Sequence, residues 1–219
     1  MNTGEEIMSQ VTGAAGQGSS VVPANLLLRE FSHRINNEYA SAIAIVSIAC
    51  RGAQSDTVKT ALNNVRDQLY SCAQVHRALA VPEWNQQVDA AEFLSDLCQA
   101  MSQARLRAEG IKLTFVEQSI TLRSERCWLM ALVVSELITN AARHAFLRGG
   151  GAIRVEISES CGLIECSVTD NGRAKVVNQP GCGSKIIRAL AESLDGTIEQ
   201  HFAANGTRAI LTFPADPED

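Results

Sequence analysis

The chain has 219 residues, with 24 acidic against 19 basic side chains and a formal net charge of −5 at neutral pH. That length allows one large domain or two modest ones with a real core. The acidic balance argues against a nucleic acid or an anionic membrane surface as the main partner. The seven cysteines (50, 72, 98, 127, 161, 166 and 182) show no Cys-x-x-Cys spacing. They read as small buried hydrophobes of a reducing cytosol rather than as disulfides or zinc ligands. No apolar run approaches the ~18 residues of a membrane span, and no signal peptide opens the chain, so a cytoplasmic protein is expected.

Residues 1–22 carry Gly, Ser, Thr and Gln with little apolar periodicity. They predict a flexible leader, too short for a sensor domain. From about Ala24 to Arg51 the pattern turns helical. Leu28, Phe31, Ile35, Glu38, Ala42, Ile45 and Ala49 step 3-4-3-4-3-4, an a/d seam with a polar exception at Glu38. Residues 52–56 form a turn, with Ser55 or Asp56 as the next N-cap. A second helix repeats the rhythm through Val58, Leu62, Val65, Leu69, Cys72, His76 and Leu79 until Pro82 ends it. A short turn between two amphipathic helices implies an antiparallel hairpin, its first helix on the order of 40 Å long. Two helices cannot cover both seams alone. A hairpin meeting its twin closes a four-helix bundle, which predicts a homodimer.

His33 falls between Phe31 and Ile35, so its ring projects off the apolar stripe into solvent. Glu30 lies one turn before it, Asn37 one turn after, and Arg34 beside it. A surface histidine most often does nothing, but an imidazole on the outside of a rigid bundle is an accessible nucleophile. His76 lies on the seam and reads as a packed, hydrogen-bonded residue. His201, in a late strand, is given no role.

Residues 81–87 read as a linker. Asp89 caps a helix running from Ala90 to about Glu109 and stopped by Gly110. Residues 111–116 alternate as a strand. A helix then starts near Ser124, a plausible N-cap, runs through the apolar 128–138 and stops at Gly149-Gly150-Gly151. Strands follow over 152–158 and 163–169, turning at Cys161-Gly162. A loop occupies 170–183, a helix 184–194, and the last strands 197–202 and 208–213. The expected fold is α+β: a helical hairpin over 23–82, then a two-layer α/β sandwich over 88–214 with helices on one face of a mixed sheet. An acidic tail closes the chain at 215–219.

Glu136, Asn140 and His144 (or Arg143) recur at steps of four and line one stripe of the 124 helix. Such a stripe either faces water or has partners, because a carboxylate and an amide are costly to bury alone. A magnesium ion with a polyphosphate supplies suitable ones. Asp170-Asn171-Gly172 ends a strand. Its carboxylate can accept from an exocyclic amine and its glycine admits a flat ring, though Asp-Asn-Gly by itself is more often just a tight turn. Gly181-Cys182-Gly183 leads into a helix whose amides, with Lys185, suit an anion. Asn205-Gly206-Thr207 reads as a hairpin turn.

The order Glu-x3-Asn, Asp-x-Gly, Gly-x-Gly, Gly-Thr resembles the nucleotide-binding domain of histidine kinases, with its Bergerat-type ATP fold. The stretch Leu28-Arg-Glu-Phe-Ser-His33-Arg34-Ile-Asn36-Asn37 resembles the phosphoacceptor box of the HisKA_2 and HWE-like group. Glu136 to Phe146 is similar to the N box of that group. The resemblance covers roughly residues 24–214. It implies that His33 accepts the γ-phosphoryl of ATP and hands it to a response-regulator aspartate. Asn140 would ligate magnesium, with Glu136 as base or organiser of a metal-bound water; Glu30 is the other candidate base. Arg143 and His144 would face the phosphates. Asp170 would read the adenine amine, with Gly172 beneath the ring and Thr207 nearby. Gly181 and Gly183 would make the lid pliable.

The sequence departs from the family pattern in three places. Arg173-Ala174 stands where a second glycine is expected, Ser184 follows the lid glycines, and Asn36-Asn37-Glu38 replaces the usual Lys-Asn-Asn. Two alternatives follow: a relay of the same architecture that passes phosphate without nucleotide, or a pseudokinase scaffold that only docks a response regulator. With no sensory domain in the leader, the input would come from a partner or a separate sensor protein.

Overall fold

The computed structural model describes residues 24–146, 149–172 and 182–215. The expected leader over 1–22, Gly181 and Ala174 in the expected loop, and positions 216–219 of the expected tail lie outside the described residues.

Helix α1 spans Ala24–Gly52 and α2 spans Asp56–Ala78. They pack antiparallel. Cys50 Sγ lies 3.4 Å from Asn63 Oδ1 near the turn, and Asn36 meets His76 toward the open end. Ser55 occupies the N-cap of α2, but its side chain makes no capping bond. The expected apolar seam divides in two. Ile35, Tyr39, Ala42, Val46 and Cys50 are half-buried on the side of α1 toward α2, whereas Phe31 and Ile45 remain 59% and 65% exposed. Val58 and Val65 of α2 are exposed as well. Each helix therefore carries one apolar stripe inside the hairpin and a second one outside it.

The linker expected over 81–87 ends in a strand, β1 (Gln87–Asp89), which pairs antiparallel with β3 (Thr121–Arg123). Neither was expected, since three residues are too few to show alternation. Asp89 then caps α3 (Ala90–Met101), accepting from Ala91 N at 2.8 Å and Glu92 N at 3.4 Å. Where a continuous helix to Glu109 was expected, Ser102–Leu106 form a π-helical turn. Gly110, at φ +71°, closes it and leads into β2 (Ile111–Val116).

Helix α4 spans Ser124–His144. Arg123, not Ser124, sits at its N-cap and makes no side-chain cap. The Ser124 hydroxyl is buried and donates to the Glu83 carbonyl at 2.6 Å, tying the linker down. Three further contacts fasten the hairpin end to this domain: Trp128 Nε1 donates to Leu79 O at 3.0 Å, Arg29 pairs with Glu83 at 3.5 Å, and Asn85 N donates to Glu125 at 3.2 Å. Helix α2 also packs directly on α3.

Strands β4 (Gly151–Ser160) and β5 (Leu163–Asp170) form a hairpin through Cys161 and Gly162, both at positive φ. Helix α5 (Cys182–Ser193) and strands β6 (Thr197–Ala203) and β7 (Gly206–Pro214) complete the chain. The sheet order is β2-β4-β5-β7-β6, with only β2 and β4 parallel. One face alternates inward through Ile153, Val155, Ile164, Cys166, Leu211 and Phe213, which bury against Leu94, Leu97, Met130, Ile138 and Ile187 of the three helices. Full burial of each such side chain contributes about 1.5–3 kcal/mol. This is the expected two-layer sandwich. Cys98, Cys127 and Cys166 are buried as expected, but Cys161, at the tip of the turn, is exposed.

Candidate functional site

Val133, Val134, Leu137 and Ile138 bury one side of α4 and so fix the phase of its polar stripe. Glu136 and Asn140 emerge half-buried, one turn apart, while Arg143 and His144 are exposed in the last turn. The helix C-terminus, with its partial negative charge, suits basic residues there. Neither the Glu136 nor the Asn140 side chain has a hydrogen bond or ion pair to any described residue. Their oxygens are left for a hard cation and its water or phosphate ligands, so the donor set fits magnesium.

The first turn of α5 comes down on this stripe. A methyl group at Gly183 would stand 3.4 Å from Glu136 Oε2 and 3.8 Å from Asn140 Nδ2. Backbone amides at that helix start, with exposed Lys185 beside them, form an anion-attracting end next to oxygen ligands.

Asp170 ends β5 and is 6% exposed. Its Oδ1 accepts the Gly172 N–H at 2.9 Å, and Oδ2 has no partner among the described residues. The bland reading of Asp-Asn-Gly as a turn is therefore true, and one carboxylate oxygen is still left to accept. A methyl at Gly172 would lie 2.4 Å from Ala145 Cβ, so the close approach that demands glycine is to the end of α4. Asn171 Oδ1 accepts from Ala152 N at 2.7 Å and holds the loop against β4.

Gly206 opens β7 at φ +145°, where a methyl would stand 1.9 Å from the Asp170 carbonyl. Thr207, half-buried, lies one step beyond the Thr169–Arg208 pair and so beside Asp170. Ala145 shapes the site without having been given a role in sequence, and Gly206 had been read only as a hairpin turn and as the Gly of the Gly-Thr motif. Small residues flanking the motifs were the available signal.

The expected residues form two groups around the C-terminal half of α4. Glu136, Asn140 and Gly183 make one; Asp170, Gly172 and Thr207, joined to α4 through Ala145, make the other. His33 stands apart, exposed on α1. Its neighbour Glu30 is engaged by Arg34 Nε at 2.9 Å. His76, as expected, is half-buried and hydrogen-bonded, and burial pushes its pKa below the ordinary histidine value.

A family model described as "Histidine kinase" matches residues 30–105, and one described as "Histidine kinase-like ATPase domain" matches residues 94–207. The chain belongs to the histidine kinase family. Its ATPase-type domain is the sandwich built on α4, and the match described as "Histidine kinase" begins within α1. Sensor histidine kinase PdtaS of Mycolicibacterium smegmatis is 23% identical over 217 residues, covering 95% of this chain and 43% of that protein. The chain thus spans less than half the length of this curated relative. The histidine kinase domain of the EL346 blue-light activated kinase of Erythrobacter litoralis superposes with a TM-score of 0.58 at 20% identity, covering 82% of this chain and 96% of that one. A structure titled a bacterial phosphotransferase gives 0.58 at 16% identity, covering 90% and 100%. No helix among the described residues is long and apolar enough to cross a membrane.

Proposed function

We propose that this chain is a cytoplasmic two-component signalling kinase that autophosphorylates His33 from magnesium-ATP and passes the phosphoryl group to a response-regulator aspartate. The carrying observation is that Glu136 and Asn140, half-buried and without described partners, lie directly under Gly183. Asn140 supplies an oxygen to magnesium, which neutralises phosphate charge when bound. Arg143 and His144 meet the phosphates, and the glycines at 181 and 183 let the lid follow them. Asp170 Oδ2 accepts from the adenine amine, beside Gly172 and Thr207. A ring nitrogen of His33 attacks the γ-phosphorus, the bond to the β–γ bridging oxygen breaks, ADP leaves, and the ring gives up its proton. Such chemistry asks mainly for positioning and charge neutralisation. Glu30, one turn from His33 and engaged by Arg34, and Glu136 are the two candidate carboxylates to take that proton.

Two hairpins join through the outward stripe that includes Phe31 and Ile45, giving a homodimer. Incubation with radiolabelled magnesium-ATP is expected to give an acid-labile label that disappears in His33→Ala. A folded chain that takes no label overturns the proposal.

A second reading, a relay that moves phosphate between receivers without nucleotide, is favoured by Arg173-Ala174 in place of a lid glycine and by the fold likeness to the bacterial phosphotransferase. Titration calorimetry separates the two, because a relay binds no ATP.

A further inference from the structure

The second hairpin helix carries a histidine that phosphoryl transfer itself does not use. His76 Nδ1 lies 3.3 Å from Asn36 Oδ1 across the hairpin, and its ring centroid is 6.1 Å from that of Tyr39. With the Asn36 amide oxygen facing it, an imidazole protonated on Nδ1 donates this hydrogen bond. Asn36 is three residues beyond His33, which sets the two about 60° apart around α1. Next to them the hairpin is held by Ile35, Ala42 and Val46, whose apolar contacts are non-directional and tolerate rotation of one helix against the other. A hydrogen bond does not. A rotation of about 20° moves a side-chain tip at roughly 5 Å radius by nearly 2 Å. In-line transfer is sensitive to displacements of that size.

We propose that His76 is a positioning residue for His33. Through Asn36 it fixes the rotation of α1 and so the direction from which the phosphoacceptor ring meets the donor. This rests on His33 being the phosphoacceptor.

The test uses the full chain with saturating magnesium-ATP. The maximal rate of His33 labelling is expected to fall about tenfold in both His76→Ala and Asn36→Ala, with KM for ATP and dimer mass unchanged. His76→Gln, which keeps an amide donor, should recover to within about threefold, and the double variant should be no slower than either single one. If His76→Ala does not fold, Asn36→Ala and His76→Gln carry the same comparison. Wild-type labelling rates in the folded alanine variants overturn the positioning role and leave the phosphoacceptor standing. A rate loss accompanied by raised KM and no rescue by glutamine marks general damage and also overturns it. If the native chain takes no label at His33, the phosphoacceptor reading falls and the positioning role falls with it.

Discussion

Asp170 turns one carboxylate oxygen inward to the Gly172 N–H, at 2.9 Å, and keeps the other without a described partner. One oxygen is thus structural, and the other is the one proposed to accept from the adenine amine. Asp170→Asn can preserve the first, with its Oδ1 still accepting from Gly172, while its amino group replaces the second acceptor by a donor. ATP affinity is expected to drop roughly 10-fold or more, consistent with one lost acceptor facing an amine, while the melting temperature stays near that of the native chain. Calorimetric titration beside a thermal melt decides it. Unchanged affinity would remove Asp170 from adenine recognition.

Gly206 sets a tighter constraint than any other glycine near the site among the described residues. A methyl there would meet the Asp170 carbonyl at 1.9 Å, on a backbone with φ +145° that L side chains rarely adopt. Gly206→Ala is expected to destabilise the fold by roughly 1–3 kcal/mol, with ATP affinity reduced in step because Asp170 must shift. By contrast Gly162→Ala, in open space on the far turn, loses only its left-handed backbone preference and leaves ATP affinity alone. Urea unfolding of both variants checks the order.

The sandwich was legible because its elements are long and strongly periodic, and the Glu136–Asn140 stripe because an apolar helix leaves few polar positions to interpret. Other features depend on contacts that no local pattern encodes. Strands β1 and β3 are each three residues long and exist only as a pair. Ser124 reads as a cap, yet its hydroxyl is drawn to Glu83, 41 residues away. Periodicity marked Phe31 and Ile35 as one seam, although Ile35 turns toward α2 and Phe31 away from it. Asp-Asn-Gly suggested room for a ring at Gly172, where Ala145 already stands.

Asp89 should govern part of the acid stability. A hydrogen bond from Ser119, followed by the Ala91 N–H, holds its carboxyl below the usual aspartate value. A carboxyl depressed on folding stabilises the native state above its unfolded pKa, and that stabilisation fades as pH falls through the folded value. Asp89→Ala is expected to cost about 1 kcal/mol at pH 7 through the lost N-cap. The cost should shrink toward pH 2. Chemical denaturation at pH 7, 4 and 2 reads the difference, and a cost independent of pH would contradict the assignment.

Thiol reactivity should separate the cysteines sharply. Burial pushes the Cys98 and Cys127 thiols up to about 12 and that of Cys166 higher still, whereas Cys161 is exposed on a turn. The thiolate is the nucleophile. Brief alkylation of the native protein at pH 8 should modify Cys161 and spare these three, as read by peptide mass spectrometry. Early modification of Cys166 would mean that the sheet and helix layers open far more often than a packed core allows.

The outward stripe of the hairpin supplies the last prediction. Phe31 at 59% and Ile45 at 65% exposure lie on the side of α1 away from its intramolecular partner, with Val58 and Val65 exposed on α2. Each large apolar side chain moved out of water contributes up to about 1.5–3 kcal/mol, so a pair of hairpins gains several such terms from each protomer. Phe31→Glu with Ile45→Glu should convert the dimer to a monomer by light scattering at micromolar concentration. The second domain, whose core contains neither residue, should retain its nucleotide affinity. A native chain already monomeric in that measurement would exclude the four-helix bundle and leave the stripe to a different protein.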